Sequence, residues 1–352
     1  MLLPELIEYI FALCSSKDRS ILCQVCKEWD MMALTTSKRI SSIPYDGNFS
    51  MKQLYKSGDY HLVVRLKIKT YILQYACQSG NVDLVELVIS HGITGWDYGL
   101  YGACRGGSHQ LAELMIYHGA DEWDLGLYGA CKGGNHQLVD LMLLRGADDM
   151  DNGLYGACRG GSHQLAELMI SHDADDWNLG LNGACKGGRR QMVDLMILNG
   201  ADDWNWGLLG ACEGGHLELA KLMISHGAND CNDGLLGACC GGHIEIVNLM
   251  ISHGANDWNE GLKSACKYNN LELVKLMISL GATDWNFGLY CACVSGSYQS
   301  AELMISHGAD DWNQGLVRAC VNGHHKLVRL MISMGATLCR CNRSMNDHLD
   351  TK

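Results

Sequence analysis

The chain is built from one 27-residue repeat that recurs without insertion or deletion. Its clearest copy, residues 99–125, reads GLYGACRGGSHQLAELMIYHGADEWDL. A divergent copy begins at Ile72, and further copies begin at Gly126, Gly153, Gly180, Gly207, Gly234, Gly261, Gly288 and Gly315. A fixed period of this length is typical of a repeat array, in which each repeat buries its apolar face only against its neighbours. The period therefore constrains the fold more than any motif within it.

Each repeat predicts two helices. With positions counted from Gly99, Leu, Ala and Cys occupy positions 2, 5 and 6 in all ten copies, a spacing that places them on one helical face. Position 9 is Gly except at Asn269 and position 21 is Gly except at Asp173, which predicts left-handed helix ends. Position 26 is Asp or Asn in nine copies, for example Asn178, and is predicted to be a helix N-cap. The second helix is predicted to bury positions 13, 14, 16 and 17, which are Leu111, Ala112, Leu114 and Met115 in that copy.

The 18 cysteines do not indicate a disulfide scaffold. Ten of them occupy position 6, where a thiol acts as a small buried hydrophobe. Many unpaired thiols favour a reducing, intracellular compartment. Three groups have spacings seen in zinc sites: Cys239-Cys240-x-x-His243, Cys291-x-Cys293, and Cys339-x-Cys341 with His348. The first two use core cysteines, so only the third stays open, and we predict no metal.

Charge and hydropathy exclude two classes of protein. The net charge is −12 and the pI is near 5.6, which argues against a general nucleic-acid binder. The first residues lack a basic region and include Pro4, Glu5 and Glu8, so we expect no signal peptide. The longest apolar runs are too short to span a membrane. We expect a soluble monomer in the cytoplasm or nucleus.

Residues 1–45 do not follow the repeat. They resemble an F-box, on the residues Leu3-Pro4-Glu5, Ile10, Leu13, Asp18, Val25-Cys26-Lys27 and Trp29. The resemblance implies docking onto the Skp-type adaptor of a cullin–RING ubiquitin ligase, with Leu3, Pro4 and Leu6 as adaptor contacts. The alternative is a helical cap that covers the first apolar face of the array. We interpret residues 46–71 as a linker or degenerate capping repeat, and residues 342–352 as a disordered tail.

Residues 72–341 resemble ankyrin repeats in the order L-x-x-A-C-x-x-G…L-V-x-L-M-I-x-x-G-A-D. The period is shorter than the usual 33 residues and the T-P opening is absent, so we expect the β-hairpin fingers to be missing or reduced, within an all-α helical solenoid. A Trp at position 25 is predicted to form a stacked ladder in their place. These residues are Trp96, Trp123, Trp177, Trp204, Trp258, Trp285 and Trp312. The whole arrangement is similar to ankyrin proteins of large DNA viruses of amoebae, which implies the cytoplasm or nucleus of a host cell.

The ankyrin resemblance implies that the first helices line a concave partner surface, with positions 3 and 7 exposed. These positions hold Tyr101/Arg105, Tyr128/Lys132, Tyr155/Arg159, Asn182/Lys186 and Leu209/Glu213. Tyr and Arg are frequent in binding hot spots, and the stripe could hold an acidic partner segment. Duplication without selection for binding is the alternative, because residues 153–206 look like a copy of residues 99–152.

No constellation indicates catalysis. The Gly-rich GLYGACRGG lacks the G-K-[ST] ending of a phosphate loop, and we attribute its glycines to helix ends. The recurrent His at position 20 is interpreted as favouring a helix C-terminus rather than as a metal ligand or pH sensor. We therefore expect no enzyme, cofactor or metal, and an adaptor that links an unidentified target protein to the ligase. The alternative is a scaffold or decoy that binds a host protein without any ligase.

Overall fold

A computed structural model describes residues 73–90 and 92–337. The F-box-like segment, with Leu3, Pro4 and Leu6, lies outside these residues, as do the predicted linker and tail. The described residues form α-helices that pack in consecutive pairs, and they contain no strand. The prediction of an all-α chain of helical repeats is thereby confirmed for this part.

The described chain falls into two compact blocks, of which block 1 ends at Asn229 and block 2 begins at Asp230. In block 1 the first helices of the repeats are α1 (73–79), α3 (Trp96–Gly106), α5 (Trp123–Gly133), α7 (Met150–Gly160), α9 (Trp177–Gly187) and α11 (Trp204–Gly214). The second helices are α2 (Val82–Ser90), α4 (His109–Tyr117), α6 (His136–Arg145), α8 (His163–Ser171), α10 (Arg190–Leu198) and α12 (Leu217–Ser225).

Block 2 repeats the same arrangement. Its first helices are α13 (Cys231–Gly241), α15 (Trp258–Lys267), α17 (Trp285–Ser295) and α19 (Trp312–Asn322). Its second helices are α14 (Ile244–Ser252), α16 (Leu271–Leu280), α18 (Tyr298–Ser306) and α20 (His325–Ser333). Within each block, a first helix packs against its own second helix and against the first helix of the next repeat.

The core follows the repeat. Leu127, Ala130 and Cys131 are fully buried, and positions 2, 5 and 6 are buried in every described copy. On the second helix the buried stripe is narrower than predicted, because Leu114 and the Leu residues of position 16 in the later repeats are only half-buried. Position 16 lies about 100° around the helix from the centre of the buried stripe, so it falls at the edge of the core.

The predicted helix ends are confirmed. Position 9 has left-handed backbone, for example at Gly107 with φ 80°, and position 21 does so at Gly119 with φ 102°. The two exceptions keep the same conformation, with φ 58° at Asn269 and 70° at Asp173. Among the described residues, these are the two non-glycine residues with positive φ. The turn geometry is therefore fixed by the array even where the residue is unfavourable.

The predicted N-cap at position 26 is wrong by two residues. The first helices of most repeats begin at position 25, and the cap is the Asp of position 24: the side chain of Asp176 accepts the backbone N–H of Leu179 at 2.8 Å. Asn178 at position 26 lies within the first turn. Its Oδ1 instead accepts the backbone N–H groups of Asp202 and Asp203, both at 2.9 Å, in the loop of the next repeat. Because Asp176 already caps the helix, the Asn178 side chain is available to bind the loop of the next repeat.

We call this contact the Asx bridge: the position-26 Oδ1 atom of one repeat accepts loop backbone N–H groups 24 or 25 residues later. It recurs in both blocks. Its acceptors are Asp97, Asp124, Asp151, Asn178, Asn205, Asn232, Asn259, Asn286 and Asn313. The bridge thus links successive repeats through a side-chain oxygen and backbone N–H groups, rather than through paired strands.

The predicted Trp ladder is also wrong. The Trp residues of position 25 are the first residues of their helices, and three of their rings contact the position-20 His of the next repeat. The ring pairs are Trp96–His118, Trp204–His226 and Trp285–His307, with centroids 4.5, 4.6 and 5.0 Å apart. No two Trp rings are in contact among the described residues.

The attribution of the Gly-rich segment to helix ends holds for position 9 alone. Positions 1, 4 and 8 lie inside or at the last residue of the first helix, where Gly allows a neighbour to approach closely. A Cβ at Gly129 would lie 2.7 Å from the carbonyl oxygen of Tyr101, and a Cβ at Gly156 would lie 2.7 Å from that of Tyr128. In block 2 the corresponding position holds Ser264, Cys291 and Arg318 after the first repeat. The first helices of block 1 are accordingly packed closer together than those of block 2.

Candidate partner-binding site

Three tyrosines of position 3 stack on one another in block 1. The rings of Tyr101 and Tyr128 have centroids 5.6 Å apart and an interplanar angle of 12°, and those of Tyr128 and Tyr155 are 5.7 Å apart at 20°. Stacking at this separation is possible because Gly129 and Gly156 bring the helices that carry these rings close together. The structure thus joins three of the predicted site residues into one column.

The position-7 side chains extend from the same helices to the phenol groups. Lys132 Nζ lies 3.3 Å from the hydroxyl oxygen of Tyr101 and 3.2 Å from that of Tyr128, and donates to both. Arg159 donates from Nη1 to Tyr128 at 3.2 Å and to Tyr155 at 3.4 Å. Each cation therefore connects two tyrosines of successive repeats. We call these five residues, together with Arg105, the tyrosine–cation row.

The expectation that positions 3 and 7 are exposed is wrong for this row. Tyr101 is buried, with 8% of its surface exposed, and Tyr128, Lys132, Tyr155 and the two arginines are half-buried. The physical reason is the stacking itself, because each ring covers the face of its neighbour. The row therefore keeps a partly accessible surface, next to the exposed Gly106 and Gly133.

Burial and crowding of like charges set the protonation of the row. The pKa of Lys132 is lowered to about 7 by burial and by the nearby cations Arg159, Arg105 and Lys186. Burial also raises the pKa of the Tyr128 phenol to about 12. Near neutral pH the Tyr128 phenol is therefore neutral, while the Lys132 amine is poised between its charged and neutral forms.

The row has defined ends. At one end Arg105 donates to the side-chain oxygen of Gln78 at 3.5 Å. At the other end Lys186 forms an ion pair with Glu213, one repeat further. Asn182, which holds position 3 of that repeat, is buried and donates to the backbone oxygen of Trp206 at 2.8 Å. The Asn182/Lys186 pair is therefore satisfied within the block, and the row stops at Arg159.

Among the described residues, the three cations of the row have no carboxylate partner. Among the residues that the structure describes, no Asp or Glu oxygen lies within 4.0 Å of the side-chain nitrogens of Arg105, Lys132 or Arg159. Other cations in the described chain do have such partners, as Arg190 has in Asp194 at 2.9 Å. The row is thus a concentrated and partly desolvated positive charge in a chain whose net charge is −12.

The remaining candidate sites have structural explanations. Nδ1 of His253 lies 2.9 Å from the backbone oxygen of Leu249, and Nδ1 of His307 lies 2.8 Å from that of Leu303, which supports the helix C-terminus interpretation of position 20. The described residues hold no group of three His, Cys, Asp or Glu side chains placed to bind a metal. The Cys339/Cys341/His348 group lies outside the described residues.

The position-6 thiols are core residues, as predicted. The described position-6 cysteines are buried. Burial raises the pKa of Cys104, Cys131 and Cys158 to about 12, so these thiols are protonated and unreactive near neutral pH.

No family model and no curated protein matches the chain. The candidate site thus depends on the geometry of the row itself. Sequence reasoning named its six residues but missed Gln78 as its first neighbour and missed the contacts that hold it together. The signal that could have indicated this close packing was the Gly at positions 4 and 8, which recurs in the block that carries the row.

No helix in the described part of the chain is long and apolar enough to cross a membrane.

Proposed function

We propose that the protein is a protein–protein interaction adaptor, in which the repeat array binds a target protein and residues 1–45 recruit a ubiquitin ligase. The observation that carries the first half is the tyrosine–cation row, which gathers hot-spot residue types on the first helices of three successive repeats. The second half rests on the resemblance of Leu3-Pro4-Glu5 and of Val25 to Trp29 to an F-box. In this proposal the chemistry of ubiquitin transfer belongs to the ligase.

The array is proposed to be an ankyrin-like solenoid without fingers. The helix pairs, the 27-residue period and the Gly-Ala loops support this proposal. The Asx bridge supports it as well, because it supplies loop-to-loop pairing between repeats where ankyrin hairpins would stand. The similarity to ankyrin proteins of large amoebal DNA viruses leads us to propose the cytoplasm or nucleus of an infected cell as its place of action.

The ligase link is tested with the full chain and a purified Skp-type adaptor. We expect direct binding, and we expect Leu3→Ala/Pro4→Ala to weaken it by at least about tenfold, because both side chains are proposed adaptor contacts. Lys132→Gln is the matched control, because it changes the array and leaves residues 1–45 intact. Circular dichroism of each variant shows whether the helices are retained.

The alternative function is a scaffold or decoy that binds a host protein with no ligase. It keeps the array and gives residues 1–45 the role of a helical cap. If the wild-type chain shows no binding to a Skp-type adaptor, this alternative replaces the adaptor proposal. A loss of cooperative unfolding in the Leu3→Ala/Pro4→Ala variant would point to the same cap.

A further inference from the structure

We infer that the tyrosine–cation row is the binding site for an acidic peptide segment whose carboxylates occur at every second residue. This inference rests on the proposed function, because it names the part of the target that the array would hold. Its basis is the set of three cations, Arg105, Lys132 and Arg159, which have no carboxylate partner among the described residues. Partly buried cations of this kind are stabilised by an external anion.

The spacing of the row favours a peptide with alternating charges. The tyrosine rings repeat every 5.6 to 5.7 Å, and Lys132 and Arg159 alternate with their hydroxyl groups. In an extended segment, side chains on one face are about 6.7 Å apart, and over two such steps flexible glutamate side chains can adjust to the shorter repeat of the row. The row therefore fits about three carboxylates, one for each cation, with the phenol hydroxyls as further donors.

The row is poorly suited to nucleic acid. Single strands are held by aromatic faces on which the bases stack. In this row, stacking covers both faces of the Tyr128 ring and one face each of Tyr101 and Tyr155, which leaves little ring face for a base. The loops of the same block carry Asp pairs such as Asp148-Asp149, which would repel a long phosphate backbone. A short acidic peptide avoids this repulsion.

Binding at this site is coupled to the protonation of Lys132. The groups that face Lys132 are Tyr101 and Arg105 from α3, Tyr128 from its own helix, Arg159 from α7 and Lys186 from α9. None of them is a carboxylate, and burial and the nearby cations lower the pKa of the Lys132 amine to about 7 in the free protein. A carboxylate beside the amine favours the charged form. The complex therefore takes up a proton when it forms above pH 7, and the affinity falls as the pH rises.

The test uses the full chain and a capped peptide in which three glutamates alternate with serines, followed by calorimetry or fluorescence anisotropy. We expect saturable binding, no binding of the same peptide with glutamines, and a Kd about tenfold higher for Lys132→Gln. Lys221→Gln is the matched control, because it makes the same substitution on an exposed second helix, where Lys221 pairs with Glu218 at 2.7 Å. We expect this variant to bind as the wild type does.

The pH arm distinguishes a binding role of Lys132 from a structural one. For the wild type we expect the Kd to rise about tenfold between about pH 6 and about pH 8, with proton uptake seen as a buffer-dependent binding enthalpy. For Lys132→Arg, whose charge is permanent, we expect binding with little change over this range. Equal pH dependence in both proteins would overturn the coupling to Lys132.

Two outcomes would overturn the site itself. One is equal weakening by Lys132→Gln and Lys221→Gln, which would mean that only overall charge matters. The other is tighter binding of a single-stranded oligonucleotide than of the peptide, which would assign the row to phosphates. Both leave the adaptor proposal intact if the chain still binds its target and a Skp-type adaptor, so the two failures are distinguishable.

Discussion

The side-chain oxygen of Asn178 lies 2.9 Å from the backbone nitrogen of Asp203, and this contact ties the first turn of one repeat to the loop of the next. The same atom also accepts the backbone N–H of Asp202. Replacing Asn178 by Leu removes an acceptor shared by two backbone donors. We expect the free energy of unfolding to fall by about 1–2 kcal/mol, measured by urea denaturation.

The control for this experiment is Asn178→Asp, because other repeats of the chain have Asp at this position. Asp124 and Asp151 make the same bridge with a carboxylate oxygen, so Asn178→Asp keeps the acceptor and should change the stability by less than about 0.5 kcal/mol. Equal losses in the Leu and Asp variants would show that the bridge contributes nothing beyond the packing of the asparagine.

A methyl group at Gly129 tests the close packing of block 1. It would lie 2.7 Å from the carbonyl oxygen of Tyr101, so Gly129→Ala forces two first helices apart. We expect a loss of about 1–3 kcal/mol despite the higher helix propensity of Ala. Ser264→Ala, at the same position of block 2, should cost less because a Cβ is already accommodated there. If Gly129→Ala is stabilising, the glycines serve no packing role.

Asp173 is a site where the array accepts an unfavourable residue. Its φ of 70° is left-handed, and its carboxylate lies just beyond a helix C-terminus, where negative charge is disfavoured. We expect Asp173→Gly to raise the thermal midpoint and to stabilise the protein by about 0.5–1 kcal/mol. Asp173→Ala removes the charge but keeps the strain, and should be less stable than Asp173→Gly. The opposite order would contradict the backbone explanation.

The buried thiols should make the folded protein less stable at alkaline pH. Their folded pKa is about 12, raised from 9.0, so the protonated form is favoured by folding. The contribution of these thiols to the free energy of unfolding is therefore complete below pH 9 and is lost as the pH rises from 9 towards 12. Each thiol contributes a slope of about −1.4 kcal/mol per pH unit in that window. Urea titrations at increasing pH should show a shallower fall for Cys104→Ala than for the wild type, and parallel curves would contradict this account.

The sequence predicted most of the fold because identical positions recur. Leu127, Ala130 and Cys131 are buried as their spacing indicated, and even Asn269 and Asp173 adopt the left-handed turn that Gly elsewhere marks. These are local properties of one helix or one turn. Ten copies of the same pattern make such properties visible in a single chain.

The contacts between repeats were not predictable in the same way. Asn178 and Asp176 are both good N-cap residues, and only the actual start of the helix at Trp177 decides which of them caps it and which forms the bridge. Tyr128 reads as an exposed binding residue, yet the glycine of the next repeat brings the ring beside it close enough to cover it. These outcomes depend on distances between neighbours, which a periodic sequence leaves open.

The most direct test of the whole account is a quantitative comparison of proteins that copurify with the full chain and its variants from cells. We predict two separable losses. Leu3→Ala/Pro4→Ala should lose the Skp-type adaptor and cullin and keep the target, whereas Lys132→Gln should lose an acidic target and keep the adaptor. Lys221→Gln should keep both. The account would be contradicted if Lys132→Gln retained every partner of the wild type, or if the wild type brought down neither a Skp-type adaptor nor a protein with an acidic segment.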